Sequence, residues 1–241
     1  MTKAITKAII LAAGMGSRLK EMGEDIPKGF IRLDETPIIE HSLNALISMG
    51  IQEVMIVTGH KCEFYEKLKE TYPEIRTIKN ARFAETGTMC SLGHARDFVD
   101  ADFILLESDL IYDPIVITEL LNSPYKDCLL LSGTTNAGDE VYVEADENRM
   151  TAISKSRDHI KNSVGEYVGI AKLSKQMYDK LLQVADPKLK LSYDMDCMAH
   201  IAKEHSIYFL RLENLHWAEI DDPAQLARAQ KVWEKIKPNR S

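Results

Sequence analysis

The chain has 241 residues, 45% hydrophobic and 28% charged, which suits one compact domain and excludes a disordered or fibrous protein. Its 30 basic and 37 acidic residues give a formal charge of −7, and no long basic stripe offsets it, which argues against bulk binding to nucleic acid or anionic lipid. Cys62, Cys90, Cys128 and Cys197 lie far apart, with no Cys-x-x-Cys pair, so they read as free thiols and place the protein in the cytoplasm. The apolar run Ala8–Ala13 is too short to export or span a membrane, and no later stretch approaches that length.

In chain order, Lys7–Ala12 is a short apolar run ending in glycines, the pattern of a strand buried on both faces. Pro37 opens a helix with Ile38, Ile39, Leu43, Leu46 and Ile47 at helical spacing, Gly50 stands at its end, and the strand 53–58 follows. A helix over 62–71, a strand over 75–79, a helix over 89–98 and a strand over 103–107 continue the alternation, closing on Ser108-Asp109. A helix after Pro114 and a buried strand over 128–132 come next. From Gly138 the pattern changes to half-exposed alternation, with a hairpin over 140–154 turning at Asp146-Glu147-Asn148. A strand over 164–171, helices over 174–184 and 193–204, a strand over 207–212 and a helix from Pro223 complete the chain. The expected fold is α/β, a mostly parallel open Rossmann-like sheet flanked by helices with a small antiparallel insertion. One domain is expected over 1–241, with a nucleotide-binding half to about residue 112 and an acceptor-binding half from about 113.

The loop Ala12-Ala13-Gly14-Met15-Gly16-Ser17-Arg18 follows the first strand, where a parallel sheet places its ligand-binding loops. Leu19 stands where a dinucleotide fingerprint needs a third glycine, and the Gly-Lys-Ser/Thr of a Walker loop is absent. Taken alone, a Gly-x-Gly at this place serves a plain tight turn as well as a phosphate loop. Pro27-Lys28-Gly29, nine residues beyond Arg18, sharpens it. The spaced pattern LAAGMGSRL and IPKGF resembles the signature of nucleotidyltransferases that join a nucleoside triphosphate to a phosphorylated small molecule. Leu105 to Asp109, Ile153-Ser154-Lys155 and Ala218 to Asp221 resemble later segments of the same enzymes. Glu85 to Leu92, Glu107 to Tyr112 and Gly138 to Val143 look most like 2-aminoethylphosphonate cytidylyltransferases, with bacterial phosphocholine cytidylyltransferases as near neighbours. Cys90 departs from that pattern, which has an aromatic residue there.

The resemblance implies transfer of CMP from CTP to 2-aminoethylphosphonate with release of pyrophosphate, in a cationic site that aligns anions. Phosphocholine or phosphoethanolamine as acceptor, and a non-catalytic nucleotide-binding regulatory subunit, are the alternatives. Gly14, Gly16 and Ser17 would donate to the triphosphate, and Arg18 and Lys28 would neutralise it, with Lys155 positioning the acceptor. Leu11, Ala12, Ala13, Gly87, Thr88 and Ser91 would hold the nucleotide, and Asp109 and Asp221 would converge on Mg²⁺. For the amine end of the acceptor the candidates are Asp139, Glu140, Tyr167, Asp194, Asp196 and Glu219, because a primary ammonium wants carboxylates where a trimethylammonium wants an aromatic cage. Homodimer formation is left open.

Overall fold

The computed structural model describes residues 4–16, 19, 26–185 and 192–237. The first apolar run is β1 (Lys7–Ala12); β2 (Arg32–Leu33) and β3 (Thr36–Pro37) then form a short hairpin without a sequence signature. The alternation predicted next is present as α1 (Ile38–Ser48), β4 (Glu53–Thr58), α2 (Cys62–Lys67), β5 (Ile75–Lys79), α3 (Thr88–His94) and β6 (Phe103–Glu107). Both α2 and α3 are shorter than their periodicity suggests: a 3-10 turn over Leu68–Glu70 finishes the first, and the second leaves the helix at His94 and reaches Phe98 in turns.

β1 lies between β4 and β6, parallel to both, and β4 is parallel to β5. Its side chains feed two cores. Ile9 and Leu11 pack with Leu92, Leu105 and Phe98 on one face of the sheet, while Ala8, Ile10 and Ala12 pack with Leu43, Leu46 and Ile104 on the other. A strand covered on both faces has no polar position to spare, which is why its sequence is an unbroken apolar run.

Beyond β6 come β7 (Leu110–Tyr112), α4 (Ile115–Asn122), β8 (Cys128–Ser132), the hairpin β9 (Tyr142–Asp146) and β10 (Arg149–Ser154), and the long β11 (Ser163–Leu173). The chain ends with α5 (Lys175–Val184), α6 (Asp194–Ile201), β12 (Tyr208–Leu212), β13 (Trp217–Glu219) and α7 (Pro223–Ile236). The large sheet runs β5-β4-β1-β6-β11-β8-β12-β10-β9, and β9 also pairs with β11. The α/β class and the flanking helices are as expected, and the antiparallel part reaches deeper than an insertion. β11 sits mid-sheet, antiparallel to both β6 and β8, so the sheet as a whole is mixed. A separate two-stranded ribbon joins β7 to β13. Under α7, Ile111, Ala218 and Ile220 of that ribbon region pack with Leu33, Ile38 and Ala229 in a third core. No described helix is long and apolar enough to cross a membrane.

This topology puts a crevice at the C-terminal ends of β1, β4 and β6, where the strand order turns to either side of β1. The loops there are tightly packed. A Cβ on Gly59, just after β4, would stand 2.6 Å from the Ala13 carbonyl oxygen and 2.6 Å from Cβ of Phe83. Gly59→Ala is therefore expected to cost roughly 1–3 kcal/mol of stability, read from the midpoint of urea unfolding. An unchanged midpoint would mean that the two loops part freely.

Candidate active site

Three segments remote in sequence meet beyond the end of β1. A 3-10 turn over Lys28–Phe30, closed by the Phe30 amide donating to the Pro27 carbonyl at 2.8 Å, sets the root of Lys28. The β7–β13 ribbon pairs Leu110 with Glu219 and Ile111 with Ala218, and the Ile220 amide donates to the Asp109 carbonyl at 3.0 Å. Asp109 and Asp221, which flank the two strands, are thereby held side by side. The Lys28 ammonium donates to Oδ2 of Asp109 at 2.8 Å and also to Oδ1 of Asp221. These side chains are 17%, 11% and 2% exposed, so the three charges are largely withdrawn from water.

Gln225, near the start of α7, braces this junction. Its Oε1 accepts from the Asp221 amide at 2.6 Å and its Nε2 donates to Oδ2 of Asp139 at 2.7 Å. The neighbouring Asp222 caps α7, accepting from the Gln225 amide at 2.8 Å, with Pro223 in the first helical turn.

A cavity of about 300 Å³ opens over the junction. Leu11, Ala12, Ala13 and Gly14 line it, as do Gly87, Thr88 and Ser91 and the three junction residues. Lys155, Tyr167, Asp194 and Glu219 also line it. Gly16 lies beside the Lys28 side chain rather than in the lining. Ser17 and Arg18 fall outside the described residues. Asp139 and Glu140 line a side chamber of about 20 Å³ that shares Val141, Tyr167 and Glu219 with the main cavity. Asp196 lines neither: two residues along α6 from Asp194, it is turned about 200° around the helix.

Several cavity groups are tied to one another. Asp194 is buried at the start of α6, where its Oδ1 accepts from the Thr88 hydroxyl at 2.6 Å while its amide donates back to that hydroxyl at 3.1 Å. Ser91 accepts at 3.1 Å from the side-chain amide of Asn80, a fully buried residue that also donates to Thr86 at 2.9 Å. Asn80, Gln225 and Glu107 were not legible as site residues. Asn80 and Gln225 stand as single polar residues in a loop and a helix, and Glu107 ends an apolar strand as many glutamates do.

Arg18, one of the cations expected here, lies outside the described residues; among the described lining residues, Glu107, Asp109, Asp194, Glu219 and Asp221 stand with Lys28 and Lys155. Burial, then the charges of Glu219, Asp109 and Asp194, hold the Glu107 carboxyl well above the usual carboxylate range. Glu219 is pushed up to about 7 by burial and by Asp109 and Asp139, against the opposing pull of Lys28 and Lys155. Burial pulls the Lys28 ammonium down, but Asp109, Glu219 and Glu107 outweigh it and hold it above the ordinary lysine value.

Comparison agrees: residues 8–190 match the model of the MobA-like NTP transferase domain. The chain belongs to that family. Among NTP transferases it is 30% identical over 232 residues to 2-aminoethylphosphonate cytidylyltransferase of Lancefieldella rimae, covering 92% of this chain and 91% of that one. It is 28% identical over 238 residues to CMP-5'-(3-aminopropyl)phosphonate synthase of Streptomyces rubellomurinus; the match takes in 92% of this chain but only 38% of that longer protein. Its fold superposes on the inositol-1-phosphate CTP transferase from T. maritima with a TM-score of 0.86, at 22% identity and over 100% of both chains. The bracing role of Gln225 in this NTP transferase is open to test. Gln225→Met keeps the shape but removes both hydrogen bonds, and should cost roughly 1–3 kcal/mol in urea unfolding. Full stability would show that Asp221 and Asp139 hold their places without it.

Proposed function

We propose that the chain is a cytidylyltransferase that joins CTP and 2-aminoethylphosphonate to give CMP-2-aminoethylphosphonate and pyrophosphate. The observation that carries the acceptor side is the cavity's surplus of carboxylates beside the Lys28 junction, an environment suited to an acceptor bearing a primary ammonium. Tyr65, Phe83, Tyr167 and Tyr193 also line the cavity, so the preference for a primary ammonium rests on the carboxylates rather than on a shortage of rings. CTP is supported by the named activities of the cytidylyltransferases to which the chain is similar.

In this reaction a phosphonate oxygen attacks the α-phosphorus of CTP, the new P–O bond forms, and the bond to the β-phosphate oxygen breaks as pyrophosphate leaves. The attacking oxygen is already ionised near neutral pH, since comparable phosphate groups have a second pKa of about 6, so no general base is needed. The chain's own work is positioning and charge neutralisation. Lys28, the cation at the floor of the cavity, meets negative charge at the reacting phosphorus, and Lys155 at the rim steadies the acceptor or the leaving charge. The loop from Ala12 to Gly16 would approach the triphosphate with its backbone, and Ser17 and Arg18, outside the described residues, are the further donor and cation expected there. Gly87, Thr88 and Ser91 hold the base, on a segment fixed by Asn80.

The residues fit Mg²⁺. Asp109 and Asp221 offer hard carboxylate oxygens on either side of the Lys28 ammonium, and an oxygen of Asp139 comes within 4.8 Å of one of Asp221, a donor set suited to this ion. When bound there, Mg²⁺ would supply positive charge to the triphosphate and so offset the acidic lining.

Pyrophosphate release should be measured with CTP and Mg²⁺ and with 2-aminoethylphosphonate, phosphoethanolamine or phosphocholine at equal concentration, with UTP and ATP as controls. The highest kcat/KM is expected with CTP and the phosphonate. Preference for phosphocholine would overturn the acceptor, and CTP binding without turnover would favour a regulatory nucleotide-binding subunit. Lys28→Ala should lower kcat by about 100-fold or more. Asp109→Asn should lower the rate and raise the Mg²⁺ concentration needed for half-maximal rate; an unchanged metal titration would remove it as a ligand.

A further inference from the structure

Glu107 and Glu219 are the two cavity-lining carboxylates with no hydrogen-bond partner among the described residues. Asp109 and Asp221 share Lys28, and Asp194 is engaged by Thr88. Oxygens of Glu107, Asp109 and Glu219 lie within 4.8 Å of one another. At an N–H···O distance of about 2.8 Å, one nitrogen bridges two oxygens up to about 5.6 Å apart, so a single ammonium can satisfy Glu107 and Glu219 together. A trimethylammonium has no N–H to offer, and its methyl groups hold the nitrogen off.

A second feature points to the same place. Tyr167, whose side chain lines this cavity, belongs to a residue only 7% exposed, and its hydroxyl has no hydrogen-bond partner among the described residues. The charges acting on that hydroxyl are Asp194 and Glu107. β11 is irregular here: its register against β8 shifts between Tyr167 and Ala171, and within that bulge Gly169 adopts φ +83°. A Cβ at Gly169 would stand 3.4 Å from Cδ of Glu107 and 3.3 Å from Cδ1 of Leu110, in a backbone conformation that side chains disfavour. Bulges in sheets re-aim side chains. This one lies next to Tyr167 in the cavity wall, and the missing side chain at Gly169 leaves room for the Glu107 carboxylate.

We propose that Glu107, together with Glu219 and the Tyr167 hydroxyl, seats the ammonium of the acceptor and selects an amine-bearing acceptor over an amine-free one of the same shape. The carboxylates take two N–H groups and the phenol oxygen takes the third. This seat rests on the acceptor proposed above being amine-bearing, and not on the nucleotide being CTP or on the acceptor being a phosphonate.

The test uses two matched pairs of acceptors, 2-aminoethylphosphonate with propylphosphonate and phosphoethanolamine with propyl phosphate, each with CTP, UTP and ATP. The unsubstituted protein should favour the amine-bearing member by about 100-fold in kcat/KM, and Glu107→Gln should shrink that ratio about tenfold or more. Tyr167→Phe, which keeps the ring, should shrink it about threefold, and it decides the matter if Glu107→Gln does not fold. Preference for UTP or for phosphoethanolamine, with the amine ratio still collapsing in Glu107→Gln, overturns the function proposed above and supports the seat. Equal use of both members of each pair, or turnover of neither amine-bearing acceptor with any nucleotide, overturns the seat. So does a Glu107→Gln protein that keeps the full ratio while needing more Mg²⁺, which would make Glu107 a metal ligand.

Discussion

The site depends on one ammonium held between two aspartates. Lys28 comes from a turn near the start of the chain, Asp109 from the end of a central strand, and Asp221 from a segment near the C-terminus, 193 residues from Lys28. Two carboxylates drawn out of water repel each other and are costly to bury unless a cation stands between them. The backbone does the rest: the β7–β13 ribbon fixes the spacing of the aspartates, and Gln225 pins the Asp221 amide while reaching Asp139. The third core, under α7, keeps that ribbon in place.

From this junction the character of the cavity follows. Among the described lining residues five carboxylates surround two lysines, so the negative charge of a nucleotide calls for further positive charge, carried with it or gathered there. The same carboxylates that discourage a bare anion welcome an ammonium. On the reading proposed above, one cavity holds the triphosphate near Lys28 and the amine of the acceptor near Glu107.

Much of the fold was legible because the central strands are covered on both faces. Lys7–Ala12, Glu53–Thr58, Ile75–Lys79, Phe103–Glu107 and Cys128–Ser132 stand where the apolar runs begin and stop. The ribbons β2–β3 and β7–β13 were not legible, since strands of two or three residues carry no period. Nor does a strand's sequence give its direction, so the antiparallel placement of β11 beside β6 had no sequence signal. The glycine loop, Lys28, Asp109 and Asp221 were found through their resemblance to a spaced motif, and the structure brings the last three together. Asp196 was named as one of several carboxylates suited to an ammonium, and helical geometry turns it away from the cavity that Asp194 lines. Glu107 was passed over because an acidic residue at a strand end is unremarkable until its missing partners are seen.

Thermal unfolding of Lys28→Ala beside the unsubstituted protein, each with and without saturating Mg²⁺, tests the central junction most directly. If Asp109 and Asp221 form a seat that requires a cation, the metal-free variant loses about 1–3 kcal/mol, and Mg²⁺ raises its Tm by more than it raises that of the unsubstituted protein. A Lys28→Ala protein that is fully stable without metal, or that gains no more from Mg²⁺ than the parent, would contradict the account.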